Sequence, residues 1–555
     1  MSIIRKKARF LAAFATSCVA TLATVSSVCA AQTLFFIYTP LKFSLNVDSL
    51  SEFADSGTIQ PDLAFYLNLA NATEVEKLSF QRKLNRTINV DPVLLSRLLN
   101  SDLGEVFLER VGYVINIQGG RNGKFPIRGA MVTSALSPEG FTLIGFLREL
   151  PVNMEIDMRL LLTVANSIKN VVDATLIFAE ETARLAQQEA EAAPSVNFSE
   201  LSDLRMRGPV EPIKQTWTLT DSSRDRTFYV DVYFPPGVQT TNIPVVIMSH
   251  GLGSRPEDFG DNAQHLASHG YLVAVPQHPG SDHQQVRRMK EGFSRSFFLL
   301  DEFVDRPLDI SYVIDELERR NAVEFNNQLN LTEVGAFGHS FGGYTVLALA
   351  GATIDFDHLE TECGVKRIRG NVSILLQCRA LDLDRQQYNF RDERITAVYA
   401  SNPVNSAIFG PRGLGKISIP VFIGAGNYDL ATPFVFEQVQ SFSWLTSDNR
   451  YLLLQEGQAH VDFSKLDAGV TEIIQSTINQ TLPSPELLRD YSNATLLAFF
   501  DRYINENTAY DVFLQPSYVM YLSTDEEFKA HMITRASSEE LNDAIVSFKR
   551  ERRIP

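Results

Sequence analysis

Two hydrophobic rhythms divide this chain, and the change between them falls near residue 200. Between residues 32 and 193 apolar positions recur mostly every three or four residues, the spacing of helices packed on one side. "PDLAFYLNLA" opens with Pro61 in its first turn, and "DPVLLSRLLNS" opens with an Asp cap and Pro92; both are helix start signals. One β-hairpin is expected ahead of them at 32–48, "QTLFFIYTPLKFSLNVD", with its turn at Thr39–Pro40. The longest helix is expected from about Glu155 to Ala193, carrying Leu161, Val164, Ile168, Val171, Phe178 and Leu185 at 3–4 spacing. At 1.5 Å per residue it would run roughly 50 Å, and its polar end, "ETARLAQQEAEAA", should project beyond its packing surface.

"PSVNFSELSDLRMRGPVEP", residues 194–212, reads as a linker. Beyond it "FYVDVYFPP" alternates like an antiparallel strand. Short apolar runs follow at 243–251, 271–278, 332–340, 395–403, 419–426 and 450–457, with helical patterns between most of them. Near-continuous apolar strands alternating with helices predict a mostly parallel sheet covered on both faces. Residues after about 484 return to helix, starting at "SPELLRDYSNATLLAFFDRYINE". The expected organisation is therefore a leader (1–30), a mainly α-helical N-terminal domain (31–193), a linker (194–212), an α/β domain (213–510) and a C-terminal tail (511–555) to which the sequence attaches no role.

Composition adds a compartment. Arg5, Lys6, Lys7 and Arg9 precede an apolar run from Phe10 to about Val25, and "VCA" offers Val28 and Ala30 to a signal peptidase. This is the pattern of a secretory signal; a membrane anchor or a lipid attachment at Cys18 or Cys29 fits it less well. Removing four positive charges would take the net charge from −16 to −20. Such a surface disfavours nucleic acid and anionic membranes as partners, and no later segment is expected to span a bilayer. The two cysteines outside the leader, Cys363 and Cys378, are fifteen residues apart. In an oxidising compartment they are expected to form a disulfide, worth roughly 3 kcal/mol through loop closure.

Candidate chemistry centres on Gly338-His339-Ser340-Phe341-Gly342, a Gly-x-Ser-x-Gly run where a strand pattern becomes a helix pattern. There the glycines permit a turn too sharp for larger residues, and the turn presents the Ser340 hydroxyl at the carboxyl end of the sheet. A hydroxyl needs a base. His460 follows the strand at 450–457 and should reach the same sheet edge, whereas His358 lies in the stapled insertion around Cys363–Cys378, before the next strand, and His531 in the tail. Asp429, in the loop one strand earlier, is the expected orienting acid; Asp462, two residues from His460, is a poor rival. The oxyanion donors should be the backbone N–H groups of Phe341 and, from "MSHGLGS", Leu252. His250 in that motif reads as structural, as does His339. The "HPGSDH" loop (278–283) offers a metal-like cluster, but a serine mechanism calls for no metal and no cofactor.

With "SHGLGS", "LASHGYLVAVPQHPGSD", "GHSFGGYT" and "GQAHVDFS" assembled, residues 240–465 resemble the α/β-hydrolase superfamily and, within it, the secreted platelet-activating-factor acetylhydrolase group. The N-terminal region is similar to a helical domain of unknown function found ahead of bacterial hydrolases. The resemblance implies an α/β-hydrolase fold, an exported enzyme hydrolysing short or oxidised acyl chains of lipid-like esters, and roles for Ser340, His460, Leu252 and Phe341. It departs at "YASNPVN": where the animal acetylhydrolases carry their acid this chain has Asn402, and Asp429 lies one strand later, as in cutinases and dienelactone hydrolases. A cutinase-like polyester hydrolase, or a silent scaffold used for binding, are the alternative readings. The helical domain and the Cys363–Cys378 insertion are expected to narrow access to the site.

Overall fold

The computed structural model describes residues 33–236, 242–364, 370–460, 482–552 and 554. The expected leader and Asp462 lie outside them. The chain forms two units, 1–99 with 108–161, and 100–107 with 162–555.

The first unit carries the expected hairpin, β1 (Thr33–Tyr38) and β2 (Leu41–Asn46). It also contains a sheet that the periodicity does not announce. β3 (Ile115–Ile117), β4 (Arg121–Asn122) and β5 (Met154–Asp157) join the hairpin in the order β2-β1-β5-β3-β4. Helices at Val47–Ser56, Pro61–Leu69 and Glu74–Asn85 accompany it. Thr73 starts the last of these with a reciprocal capping box to Glu76. Leu34, Leu50, Phe53, Leu63, Leu84, Leu108, Ile127 and Met154 form the core.

β5 ends where the long helix Met158–Ala192 begins, with the Asp157 carboxylate accepting from the Arg159 and Leu160 N–H groups at 2.9 and 3.1 Å. Strand pairing therefore takes the residues that helical spacing alone assigns to the helix. The expectation that no later segment could span a bilayer needs correction. Helix Met158–Ala192 is long and apolar enough, by length and composition, to cross a membrane, and only 6% of its apolar window is buried. The reason is that apolar residues occupy more than one face of its first half: Leu161, Leu162, Ile168, Val172 and Leu176 are exposed. Further along, Ala174, Phe178, Leu185 and Ala186 join the core of the second unit.

The second unit is built on nine strands. They are β6 (Ile213–Asp221), β7 (Arg226–Phe234), β8 (Ile243–Ser249), β9 (Leu272–Pro276), β10 (Leu329–His339), β11 (Ile395–Ser401), β12 (Val421–Gly426), β13 (Arg450–Gln455) and β14 (Ala530–Thr534). Their order is β14-β13-β12-β11-β10-β8-β9-β7-β6. β8 to β13 run parallel, β7 is antiparallel to both neighbours, and β14 pairs antiparallel with β13. Side chains alternate across the sheet, and both faces are buried. Val245 and Ile247 of β8 join one layer with helices Glu302–Glu324 and Phe341–Leu349, while Val246 and Met248 join the other with helices Gly260–Ser268 and Pro485–Tyr503. That is why these strands read as unbroken apolar runs.

After the Phe341–Leu349 helix, an insertion brings Cys363 and Cys378 together with their Cα atoms 5.6 Å apart and their sulfurs at bonding distance. The buried Glu437 carboxylate ties this insertion to the sheet's edge. It accepts from the N–H groups of Asn405 and Ser406, both at 2.8 Å, and from Asn371 and Gln377 at 2.7 and 2.9 Å.

Burial of neutral imidazoles gives the unit a pH dependence. His265, 1% exposed, faces the ring of His269 at 5.0 Å; burial first, then the His269 charge, push it down to about 4. Between about 6.5, the unfolded value, and the folded one, the unfolded chain binds a proton there that the folded chain does not. Unfolding free energy should thus fall as pH drops through this window, by up to about 1.4 kcal/mol per unit for this one group. Urea unfolding of wild type and His265→Gln at several pH values checks this; equal slopes in the two proteins would contradict it.

Candidate active site

Ser340 sits between β10 and the helix Phe341–Leu349 with φ 57° and ψ −116°. Non-glycine residues rarely occupy that region, and such strain persists only where the surroundings hold it. The neighbouring loop does so: the Ser340 N–H donates to Ser401 O at 3.0 Å, and the Ser340 carbonyl accepts from Val404 and Tyr344 N–H at 3.1 and 3.2 Å. The flanking glycines are sterically required. A Cβ on Gly338 would lie 2.1 Å from Gly342 O, and one on Gly342 would lie 1.9 Å from Ser249 O. These are backbone atoms, which cannot swing away. Gly342→Ala should therefore lower stability by about 2–3 kcal/mol and move the hydroxyl; thermal melting and ester turnover measure the two effects. A variant with wild-type values in both would remove the steric reading of this turn.

The turn brings three predicted residues together. The Ser340 hydroxyl lies 2.8 Å from His460 Nε2, and His460 Nδ1 lies 2.7 Å from Asp429 Oδ2. The residues come from the ends of β10, β12 and β13, so the convergence at one sheet edge follows from the strand order. Asp429 is 4% exposed. Its carboxylate accepts from the N–H groups of Ala431 and Thr432, both at 2.8 Å, from Thr432 Oγ1 at 2.6 Å and from Asn402 Nδ2 at 2.7 Å. Burial alone would raise its pKa, but the His460 charge and these hydrogen bonds outweigh it and hold the carboxyl below its ordinary value. A carboxylate on Nδ1 keeps that nitrogen protonated and leaves the Nε2 lone pair facing the hydroxyl. His339, next to Ser340 in the elbow, lies ring to ring with His460 at 4.8 Å; burial first and then the His460 charge push it down to about 3, so it stays neutral beside His460.

The two predicted oxyanion positions are Phe341 and Leu252. Phe341 opens its helix, so its N–H has no intrahelical acceptor. Leu252 lies in the loop after β8, where Gly253 N–H donates to Ser281 O at 2.8 Å. Gly251 approaches closely: a Cβ there would sit 3.2 Å from Ser340 Cβ.

Beneath this loop lies a second Ser–His–Asp chain that sequence reasoning misses. Ser249 Oγ is 3.0 Å from His278 Nε2, and His278 Nδ1 is 2.9 Å from Asp309 Oδ2. All three are fully buried. Burial first, then the charges of Arg306, Arg226 and Arg224, hold His278 well below its ordinary value. With no exposed atom to meet a substrate this set is scaffolding, and it accounts for His278 of the "HPGSDH" loop. Asn402 and Thr432 are also missed. Their signal lies in the loops "YASNPVN" and "NYDLATP", each the carboxyl end of a strand beside the predicted acid.

The strand order, the antiparallel second strand and the serine at a strand-to-helix elbow define the α/β-hydrolase fold. Residues 30–157 match a family model described as an alpha/beta hydrolase of unknown function (DUF1400). Apart from residues 100–107 the matched stretch belongs to the first unit, whereas Ser340, Asp429 and His460 belong to the second. A search of curated proteins finds no match to the chain.

Proposed function

We propose that this protein is an exported serine hydrolase of carboxylic esters. The observation that carries the reading is the continuous hydrogen-bonded chain from the Ser340 hydroxyl through His460 to Asp429, at 2.8 and 2.7 Å. As the Ser340 oxygen attacks an ester carbonyl, its proton passes to His460 Nε2. The imidazolium so formed is stabilised by the buried Asp429 carboxylate. The developing oxyanion is met by the N–H groups of Leu252 and Phe341. His460 returns its proton to the leaving alcohol, an acyl-enzyme remains, and water deprotonated by His460 releases the acid. The reading needs no cofactor or metal.

The substrate class we favour is a lipid-like ester with a short or oxidised acyl chain, from the resemblance of "SHGLG" and "GHSFGG" to the secreted platelet-activating-factor acetylhydrolases. Export through the 1–30 leader and a Cys363–Cys378 disulfide belong to the same reading. Turnover of p-nitrophenyl esters of increasing chain length, alongside a phospholipid with a short second acyl group, tests it. Short-chain preference with release of the second acyl group is expected. Hydrolysis confined to polymeric esters would favour a cutinase-like activity instead.

A further inference from the structure

We propose that His250 is a positioning residue for the oxyanion site, aiming the Leu252 N–H through the peptide that joins Gly251 to Leu252. The inference rests on the serine-hydrolase reading above. His250 takes no part in the proton path, yet it is fully buried, and its ring reaches the backbone at the one place that matters. Its Nδ1 lies 2.8 Å from the Gly251 carbonyl oxygen, so Nδ1 is the donor. The same peptide unit carries that carbonyl and the Leu252 N–H. A trans peptide is planar, with C=O and N–H pointing in opposite directions. Fixing the carbonyl on one side fixes where the N–H points on the other. The only other donor to this carbonyl among the described residues is the Ser254 N–H, at 3.2 Å.

The surroundings hold His250 in the tautomer this task requires. Nε2 accepts from the His278 N–H at 3.1 Å, which leaves the proton on Nδ1. His278 is itself clamped between Ser249 and Asp309. Arg306, fully buried, donates from Nη2 to the His250 carbonyl, so the preceding peptide is held too; its 3.4 Å approach to Nδ1 is the longer contact. The same guanidinium lies 4.6 Å over the ring of Phe341, the residue that supplies the other oxyanion donor. One buried cluster thereby spans both halves of the oxyanion site. The two donors would come from loops after different strands, and their spacing must hold while charge develops.

The test separates the two ring nitrogens. His250→Asn keeps a donor near Nδ1 and loses the Nε2 acceptor; His250→Gln can keep an acceptor near Nε2 and loses the Nδ1 donor. Expected for His250→Gln is a kcat about 10–100-fold lower with KM within about twofold. That is less than the roughly 10²–10³-fold of deleting an oxyanion donor outright. His250→Asn should stay within about threefold of wild type. Equal losses in the two variants, or wild-type kcat in His250→Gln, overturn the role. Should either variant fail to fold, ¹⁵N-histidine NMR of the wild-type chain decides: a proton on Nδ1 of His250 is expected, and one on Nε2 overturns the proposal. Fluorophosphonate labelling of the wild type keeps the two claims apart. Labelling at Ser340 with indifferent His250 variants sinks the positioning role alone; no labelling at Ser340 sinks the hydrolase reading, and the positioning role with it.

Discussion

Replacing Ser340 by alanine should lower ester turnover by about 10⁴–10⁶-fold while leaving the melting temperature close to wild type. The two halves of this expectation come from different features. Activity falls because the hydroxyl is the only group of the chain that His460 Nε2 faces at 2.8 Å among the described residues. Stability persists because the elbow is held by backbone, through Ser401 O and the N–H groups of Val404 and Tyr344, which alanine retains. Alanine and serine meet the same steric penalty at φ 57°, so that strain cancels in the comparison. Residual turnover above background would come from the oxyanion donors and substrate binding. Side-by-side kinetics and calorimetry check both halves. A variant that keeps even a tenth of wild-type turnover is incompatible with nucleophilic catalysis by this residue.

Asp429→Asn is the second large effect, and it acts through a proton's location. The carboxylate accepts from His460 Nδ1–H at 2.7 Å and so leaves Nε2 free to take the serine proton. An amide can present its NH₂ to that nitrogen, which favours the tautomer with the proton on Nε2 and the wrong group facing Ser340. A loss of about 10⁴-fold in kcat is expected. The amide also meets the Asn402 Nδ2 donor at 2.7 Å, so a buried donor pair is left facing itself; we expect about 1–3 kcal/mol of destabilisation. The pH dependence has a definite sign. The Asp429 pKa is lowered in the folded chain, so its ionised form adds stability above about pH 4, the usual aspartate range. That contribution is lost as pH falls through the lower folded value. The stability gap between wild type and variant should therefore be level above about pH 5 and close in stronger acid. A gap that widens in acid would show that Asp429 is not held ionised.

How much of this could be seen beforehand differs between backbone and side chains. The parallel strands were legible because both faces are buried, which leaves short unbroken apolar runs such as "IPVVIMSHG". β6 was not, since it is an edge strand whose first four residues are exposed. β14 escaped because five residues, "AHMIT", carry too little pattern until β13 lies beside them. The same holds for β5, which becomes a strand only by pairing with β1 and β3. At the site, Ser340, Asp429 and His460 could be read from order and spacing, because the strand sequence dictates which loops meet. Asn402 and Thr432 could not, since their contacts depend on how loops after β11 and β12 fold back. The buried Ser249–His278–Asp309 chain shows the converse. Three residue types in triad geometry do not by themselves make an active site, and burial separates the two sets.

The most direct measurement is fluorophosphonate labelling of the folded full-length chain, with the adduct mapped by peptide mass spectrometry. One adduct per chain is expected, on Ser340, formed with loss of ester turnover and greatly slowed in Asp429→Asn. An unlabelled Ser340 in folded protein, or an adduct on another serine accompanied by loss of turnover, would contradict it.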